Sequence, residues 1–255
     1  MNVLQKQPNG LPASITLENP RFVPQMTMTT ELKCVAREVI NQWRNRNLFK
    51  GLLKYGIRPL DRLLFFGPPG NGKTLACAWI AKELELPMYR VLCNQLRDCY
   101  LGNTSKNVAE VMGFLASQKM PALCLWDEVE SIFVDRRAAE GKGAQEYGAA
   151  LTVFLQELDR WQAPILLVMA TNIVESLDAA LLSRIELQLE FMGPTPDQAR
   201  QTIQYWSELL HEYGGAEWGA TITRRAEETP PVSFRELQQQ IACAAREWTV
   251  RQLKN

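Results

Sequence analysis

Gly67-Pro68-Pro69-Gly70-Asn71-Gly72-Lys73-Thr74 fits the pattern G-x-x-x-x-G-K-[ST], a glycine-rich loop that joins a strand to a helix. The apolar run at 63–66 precedes this loop and a helical pattern at 74–84 follows it, as the pattern requires. Glycines let backbone N–H groups converge on phosphate oxygens, and the helix N-terminus adds the positive end of its dipole. The sequence therefore predicts a site for nucleotide phosphates. Its predicted binding residues are Pro68, Pro69, Gly70, Asn71, Gly72, Lys73, Thr74 and Leu75.

The side chains that predict phosphoryl chemistry come from this loop and from a second strand end. Lys73 is expected to reach the β- and γ-phosphates, and the Thr74 hydroxyl is expected to bind Mg²⁺. Asp127 and Glu128 follow the buried strand predicted at 122–126. Open parallel sheets bind ligands at the carboxyl ends of their strands. We therefore expect Asp127 to hold the Mg²⁺ shell, through water, and Glu128 to orient and deprotonate the attacking water.

A third strand, predicted at 165–170, ends close to Asn172. An asparagine after a strand is usually a turn residue. Beside the two motifs above, its amide is expected to position the lytic water or to contact the γ-phosphate. Arg184 follows twelve residues later and is a candidate arginine finger, although a lone arginine is normally a surface cation.

The order of apolar runs predicts an α/β fold in which strands alternate with helices. A parallel sheet of five strands with helices on both faces is expected, with the strands at 63–66, 88–92, 122–126, 165–170 and 187–191. Beyond Gly193-Pro194-Thr195-Pro196 the pattern becomes helical, at 196–213 and 233–253, with Gly214-Gly215 and Pro230-Pro231 as breaks. The predicted organisation is an extended N-terminal arm at 1–30, an α/β domain at 31–194 and an all-helical subdomain at 195–255.

Composition excludes several classes of function. The chain has 255 residues with 28 Lys plus Arg and 28 Asp plus Glu, so there is no basic excess to grip nucleic acid by bulk charge. A single histidine, His211, excludes multi-histidine metal sites. Six cysteines without a C-x-x-C pair predict reduced, buried thiols in a cytoplasmic protein. The first ten residues lack an apolar signal segment, and the longest aliphatic run is too short to cross a membrane.

Together these motifs resemble the AAA+ ATPases over residues 31–255. The resemblance implies ATP and Mg²⁺ as cofactors, a five-stranded α/β ATPase domain, a helical lid subdomain and a homo-hexameric ring in which Arg184 acts on the neighbour's ATP. It also implies that Arg235 contacts the γ-phosphate, although Pro231-Val232 replaces the Gly-Arg step usual before that helix. Tyr100, Leu101 and Gly102 are similar to the pore loop that grips polypeptide in threading members of the superfamily.

A narrower resemblance is to the pachytene-checkpoint AAA+ ATPases, which remodel HORMA-domain proteins. Three runs carry it: Asp127-Glu128-Val129-Glu130-Ser131, Asn172-Ile173 and Gly193-Pro194. With only 66 residues before Gly67, the chain looks like the compact bacterial members encoded in anti-phage operons. That resemblance implies a partner HORMA protein bound to a nucleotide second-messenger synthase (a CD-NTase), and an ATPase that takes this complex apart.

Two alternatives compete with this hypothesis. A DNA-associated AAA+ ATPase, such as a loader or a transposition regulator, would need a local basic patch from Arg136, Arg137, Arg224 and Arg225. A nucleotide-binding scaffold without turnover is hard to reconcile with the complete set of predicted catalytic residues. Residues 135–148 are compatible equally with a second pore loop and with a mobile connection.

Overall fold

A six-stranded sheet forms the centre of the α/β region. The computed structural model describes residues 11–18, 30–97, 103–133, 142–228 and 230–252. The strands are β1 (Ile15–Glu18), β2 (Arg62–Phe66), β3 (Met88–Leu92), β4 (Ala122–Asp127), β5 (Ile165–Thr171) and β6 (Leu187–Glu190). Their order is β1-β3-β4-β5-β2-β6, and β2 to β6 run parallel. The predicted five-stranded parallel sheet is confirmed, with every strand end within one residue of its prediction.

The sixth strand, β1, lies inside the segment that the sequence predicted to be an arm. It pairs antiparallel with β3 at the sheet edge, with Ile15 opposite Val91, and Ile15 is fully buried. Four residues between prolines are too short for a periodic signal, so only the β-branched pair Ile15-Thr16 pointed to a strand. The remaining domain limits, at 30/31 and 194/195, stay predictions.

Helices cover both faces of the sheet. They are α1 (Thr30–Arg44), α2 (Lys73–Glu83), α3 (Asn103–Ala116), α4 (Lys142–Asp159), α5 (Ala179–Leu182), α6 (Pro196–Leu209), α7 (Gly215–Glu228) and α8 (Phe234–Gln252). Along β4, Leu123 and Leu125 pack with α1 and α2, while Cys124 and Trp126 pack with α3 and α4. Burial on both faces explains why the central strands β2, β4 and β5 are nearly continuous apolar runs.

An aromatic cluster anchors the end of β4, where the predicted catalytic carboxylates begin. The ring of Trp126 lies 4.9 Å from that of Phe154 and 6.0 Å from that of Phe133, centroid to centroid. Such pairs contribute about 0.5–1.5 kcal/mol each beyond the area they bury. The cluster therefore fixes the position from which Asp127 and Glu128 project.

The C-terminal helices α6, α7 and α8 share a core of their own around Ile203, Trp218 and Leu237. Helix α6 begins with a capping box, in which the Thr195 and Gln198 side chains each bond the other's backbone N–H. Helix α7 was not predicted, because Gly214-Gly215 was interpreted only as a break. Gly214 does end a turn at φ +73°, but Gly215 begins α7, where a Cβ would lie 2.0 Å from the carbonyl oxygen of Ser207. The glycine thus permits a close approach of α6 and α7.

The thiols depart in part from the prediction. Cys77, Cys93 and Cys124 are buried, and burial raises the pKa of each thiol. Cys34 and Cys243 are exposed, because they lie on the outer faces of α1 and α8. Cys99 lies outside the described residues. Among the helices that the structure describes, none has the length and apolar character needed to cross a membrane.

Candidate functional site

The carboxyl ends of β2, β4 and β5 open into a cavity of about 450 Å³ between the sheet and the C-terminal helices. Its walls hold most of the predicted site. The lining residues are Pro69, Gly70, Asn71, Gly72, Lys73, Thr74, Leu75, Arg90, Asp127, Glu128, Asn172, Thr202, Trp206, Phe234, Arg235 and Gln238. Of the predicted nucleotide-binding residues, only Pro68 does not line the cavity.

The glycine-rich loop is held in a conformation that other residues would not tolerate. Gly67 and Gly70 have φ values of +126° and +84°. A Cβ on Gly67 would lie 2.5 Å from the carbonyl oxygen of Phe191, and a Cβ on Gly70 would lie 2.9 Å from the Cβ atom of Arg235. The loop is thus wedged between the end of the sheet and the start of α8.

Lys73 occupies the centre of the loop in a nearly buried position, 8% exposed. Its Nζ donates to the carbonyl oxygens of Gly67, at 2.6 Å, and Pro68, at 3.0 Å, and to Oδ1 of Asn172, at 2.9 Å. Burial lowers the pKa of Lys73, and the charges of Glu130 and Asp127 oppose that shift. The structure thus brings the predicted lysine and asparagine into direct contact.

Asn172 is oriented by a residue to which the sequence assigned no role. Its backbone N–H and its Nδ2 both donate to Oε1 of Glu130, at 3.2 Å each. The other oxygen, Oε2, is buried and has no hydrogen-bond partner among the described residues. The signal was present in the sequence, since Glu130 belongs to the Asp-Glu-Val-Glu run.

Asp127 forms an ion pair that the sequence did not predict. Its Oδ2 lies 2.7 Å from Nη2 of Arg90, and Nη1 of Arg90 lies 3.7 Å from Oε1 of Glu18 on β1. Glu128 follows with φ +58°, an unusual conformation for a glutamate, and its side chain is exposed to the cavity. The Nδ2 of Asn94 lies 3.5 Å from Oε2 of Glu128.

The start of α8 is tied to the loop by backbone and side-chain bonds. The N–H of Arg235 donates to the carbonyl oxygen of Gly70 at 3.0 Å, and the N–H of Phe234 donates to Oδ1 of Asn71 at 3.4 Å. Asn71 is buried and donates in turn to the carbonyl oxygen of Phe191 at 3.2 Å. Arg235 therefore lies in the wall of the cavity, and its contact with a γ-phosphate stays a prediction.

Comparison with known proteins agrees with this geometry. Residues 63–192 match the family model described as "ATPase family associated with various cellular activities (AAA)". The chain belongs to the AAA family of ATPases. The AAA prediction from the sequence is thereby confirmed, as is the enzyme class at the level of the family. The pachytene-checkpoint assignment is narrower and stays a proposal.

Curated AAA relatives align over most of the chain at moderate identity. The chain is 30% identical over 240 residues to 26S proteasome regulatory subunit 8 of Caenorhabditis elegans, covering 90% of this chain and 56% of the relative. It is 30% identical over 183 residues to a probable 26S proteasome regulatory subunit 10B of the same organism, covering 70% and 44%. An uncharacterized AAA family ATPase of Sinorhizobium fredii is 34% identical over 142 residues, covering 55% and 42%. The chain thus spans about half the length of the curated relatives it matches.

Arg184 lies outside the nucleotide cavity of its own AAA domain. Its Nε and Nη2 donate to the two carboxylate oxygens of Asp159, at 2.8 and 2.9 Å. The guanidinium holds the pKa of Asp159 below its usual value through this hydrogen bond. The role of Arg184 as an arginine finger stays a prediction.

The AAA site has oxygen donors that fit Mg²⁺. The Thr74 hydroxyl and the Asp127 carboxylate line the same cavity, and Mg²⁺ typically takes few protein oxygens together with nucleotide phosphates and water. Among the described residues there is no group of three or more His, Cys, Asp or Glu side chains that could hold a metal.

The predicted pore residues of the AAA domain, Tyr100, Leu101 and Gly102, lie outside the described residues, as do Arg136 and Arg137 and much of 135–148. Residues that line the cavity but were missed are Arg90, Thr202, Trp206, Phe234 and Gln238. Arg90 is a charged residue in a largely apolar strand, and a charged residue in such a position is informative because charged residues are rarely buried. The others come from helices whose approach to the loop could not be known before the fold.

Proposed function

We propose that this protein is an ATP-driven protein remodeller that works as a ring, commonly a hexamer in this family. The observation that carries the proposal is the convergence of Lys73, Asp127, Glu128 and Asn172 on one cavity beside the phosphate loop. These residue types suit phosphoryl transfer, in which the protein positions groups and stabilises charge rather than forming covalent bonds. The cytoplasmic location stays a prediction from the sequence.

The hydrogen bonds within the phosphate loop indicate how ATP would bind. Lys73 donates to Gly67 and Pro68, and a phosphate would replace these carbonyls as acceptors for the ammonium group. Thr74 and Asp127 are the residues that would hold Mg²⁺, the latter through water. The metal supplies charge neutralisation on the phosphates when it is bound.

Hydrolysis is assigned to Glu128 and Asn172. Glu128 projects into the cavity without a close ion-pair partner among the described residues, so its carboxylate can accept a proton from the attacking water. Asn172, held by Glu130 and Lys73, would position the attacking water or contact the γ-phosphate through its amide. Arg235 would contact the same phosphate from α8, and Arg184 would complete the site of the neighbouring subunit.

The substrate class is argued from the pore motif and the relatives. Tyr100, Leu101 and Gly102 resemble a polypeptide-gripping loop, and two of the relatives above are named as regulatory subunits of the 26S proteasome. The motif runs around Glu128, Asn172 and Gly193 support a narrower version, in which a HORMA-domain protein bound to a second-messenger synthase is taken apart to restrain anti-phage signalling.

The proposed function is tested with Glu128→Gln, which keeps the shape of the side chain and removes its basicity. We expect this variant to bind ATP like the wild type and to lose at least about 100-fold in turnover, because general bases contribute about that much. Glu175→Gln, an exposed carboxylate after β5, serves as the matched control. Normal hydrolysis by Glu128→Gln would show that the catalytic assignment is wrong.

The same variant identifies the substrate, since it should hold ATP and trap its complex. Tagged Glu128→Gln in ATP is expected to retain a HORMA-domain protein, and Tyr100→Ala in the same background is expected to release it. Retention of DNA, with turnover that DNA stimulates and salt suppresses steeply, would instead support the DNA-associated alternative.

A further inference from the structure

Among the described residues, Arg90 is one of three cationic residues in the wall of the proposed nucleotide site, with Lys73 and Arg235. Its Nη2 lies 2.7 Å from Oδ2 of Asp127, and its side chain lines the same cavity as Lys73 and Thr74. The Arg90 side chain is 32% exposed and that of Asp127 is 15% exposed, so water screens the pair only in part. The positive charge of Arg90 thus already balances the carboxylate of Asp127, which is expected to hold Mg²⁺.

Arg90 has a second carboxylate close to its guanidinium group besides that of Asp127. Residues 88–92 of β3 pair with 123–127 of β4, which brings the Arg90 side chain alongside the carboxyl end where Asp127 sits. On its other side Nη1 lies 3.7 Å from Oε1 of Glu18, at the end of β1. Arg90 can therefore weaken its bond to Asp127 without becoming an unpaired charge.

The positive charge of Arg90 has two effects on binding at this site. A guanidinium beside Asp127 repels a divalent cation that approaches the same carboxylate, so Arg90 weakens Mg²⁺ binding. The same guanidinium adds positive charge to a cavity that receives phosphates, so Arg90 strengthens nucleotide binding when the metal is absent. Both effects make nucleotide binding less dependent on Mg²⁺.

We propose that Arg90 competes with Mg²⁺ for Asp127 and enables the site to hold a nucleoside diphosphate or triphosphate without the metal. The competition rests on the nucleotide site proposed above. Arg90 is in this sense a positioning residue, which acts on the metal through the carboxylate that it holds.

The test measures binding and requires no turnover. The affinity for a fluorescent ADP carrying a methylanthraniloyl group is titrated in excess Mg²⁺ and again in EDTA, and the ratio of the two dissociation constants is compared between variants. Arg90→Gln and Arg90→Met both remove the charge, one with a polar and one with an apolar side chain, so that a folding defect in one leaves the other. Thermal unfolding without nucleotide checks each variant.

We expect the ratio of the dissociation constant in EDTA to that in Mg²⁺ to rise about threefold to fivefold in both charge-removing variants, the upper part of the range for a partly screened ion pair. The Mg²⁺ concentration for half-maximal effect should fall. Arg90→Lys keeps the charge, and its ratio should stay within about twofold of the wild type.

An unchanged ratio in folded Arg90→Gln and Arg90→Met would overturn the competition, since a purely structural role weakens binding equally with and without the metal. A lowered ratio would also overturn it, because Arg90 would then assist the metal. Failure of the wild type to bind the ADP analogue, or normal binding by Lys73→Ala, would instead contradict the proposed nucleotide site itself.

Discussion

Glu130 holds the asparagine that contacts Lys73, although Glu130 does not itself line the cavity. The backbone N–H and the Nδ2 of Asn172 both donate to Oε1 of Glu130, which leaves Oδ1 of the asparagine to accept from Lys73. An amide has two nearly equivalent orientations, and here only one satisfies both the carboxylate and the ammonium group. Glu130 and Lys73 together therefore fix the amide orientation of Asn172.

We predict that Glu130→Gln lowers kcat for ATP by on the order of tenfold or more, while the affinity for nucleotide changes much less. A glutamine can bond Asn172 in either amide orientation, so only Lys73 would still favour the present one and the asparagine would be held less firmly. Steady-state kinetics and ADP binding measure the two effects separately. Glu130→Asp keeps the charge and should recover part of kcat. Unchanged kcat in Glu130→Gln would show that Asn172 is oriented by other contacts.

At the residue scale the sequence predicted the groups that belong to a contiguous motif. Lys73, Thr74, Asp127, Glu128 and Asn172 each follow a strand in a recognisable pattern, and the structure brings all five to one cavity. Arg90 and Glu130 were assigned no role because their roles depend on partners from other strands. Arg90 reaches Asp127 across 37 residues of chain, and Glu130 reaches Asn172 across 42, distances over which a local pattern carries no information.

At the scale of elements, strands buried on both faces were the easiest to predict. Strands β2, β4 and β5 are mostly buried runs of five to seven residues, whereas β1 has four residues, of which one is buried, and pairs with β3 at the sheet edge. Helix α7 begins at Gly215, a glycine that permits close packing on α6. In the sequence this glycine looks like a break between helices. Tertiary contacts decide both cases.

The junction of β2, β6 and α4 contains a buried charge cluster. Arg62 donates to the carbonyl oxygen of Leu158 at 2.9 Å and lies 3.8 Å from Asp61 and 3.7 Å from Glu186. Burial and the charge of Asp61 raise the pKa of Glu186 to about 7, with Arg62 opposing them. Two carboxylates thus share one guanidinium where three elements meet.

The cluster predicts a pH-dependent stability. Because the pKa of Glu186 is about 7 in the fold and lower in the unfolded chain, the fold binds the proton more tightly. The stability from this group is complete below the unfolded pKa and is lost as the pH rises through about 7. Glu186→Gln, which resembles the protonated form, should therefore raise the Tm relative to wild type at pH ~8.5 and much less at pH ~5.5.

Thermal unfolding at the two pH values checks this expectation. Glu190→Gln on β6 is the matched control, because its side chain is exposed and its effect on the Tm should be small at both values. An equal effect of Glu186→Gln at pH ~5.5 and pH ~8.5 would contradict the assigned protonation.

At the scale of the whole molecule, Arg184 lies outside the proposed nucleotide cavity of its own chain. Arg184 pairs with Asp159 through two hydrogen bonds in its own subunit. An ion pair of this exposure is worth about 0.2–1 kcal/mol, so a neighbour's phosphate can replace it at little cost. The proposed ring supplies that neighbour.

Mixing inactive subunits tests whether Arg184 acts across an interface. Lys73→Ala removes the phosphate-binding lysine and Arg184→Ala removes the finger, so each variant alone should lack turnover. In a mixed ring, an Arg184→Ala subunit keeps its own loop and borrows the arginine of a Lys73→Ala neighbour. Random mixing in equal amounts should then restore about a quarter of the sites, since each needs one ordered pair.

The control is a mixture of Lys73→Ala with Glu128→Gln. Both changes disable a subunit's own nucleotide site, so no interface in that mixture contains an intact set of Lys73 and Glu128, and turnover should stay absent. Size-exclusion chromatography of differently tagged subunits confirms that the rings are mixed. If mixed rings of Lys73→Ala and Arg184→Ala form and remain inactive, Arg184 does not serve the neighbouring site. If the wild type stays monomeric with ATP, the ring itself is wrong.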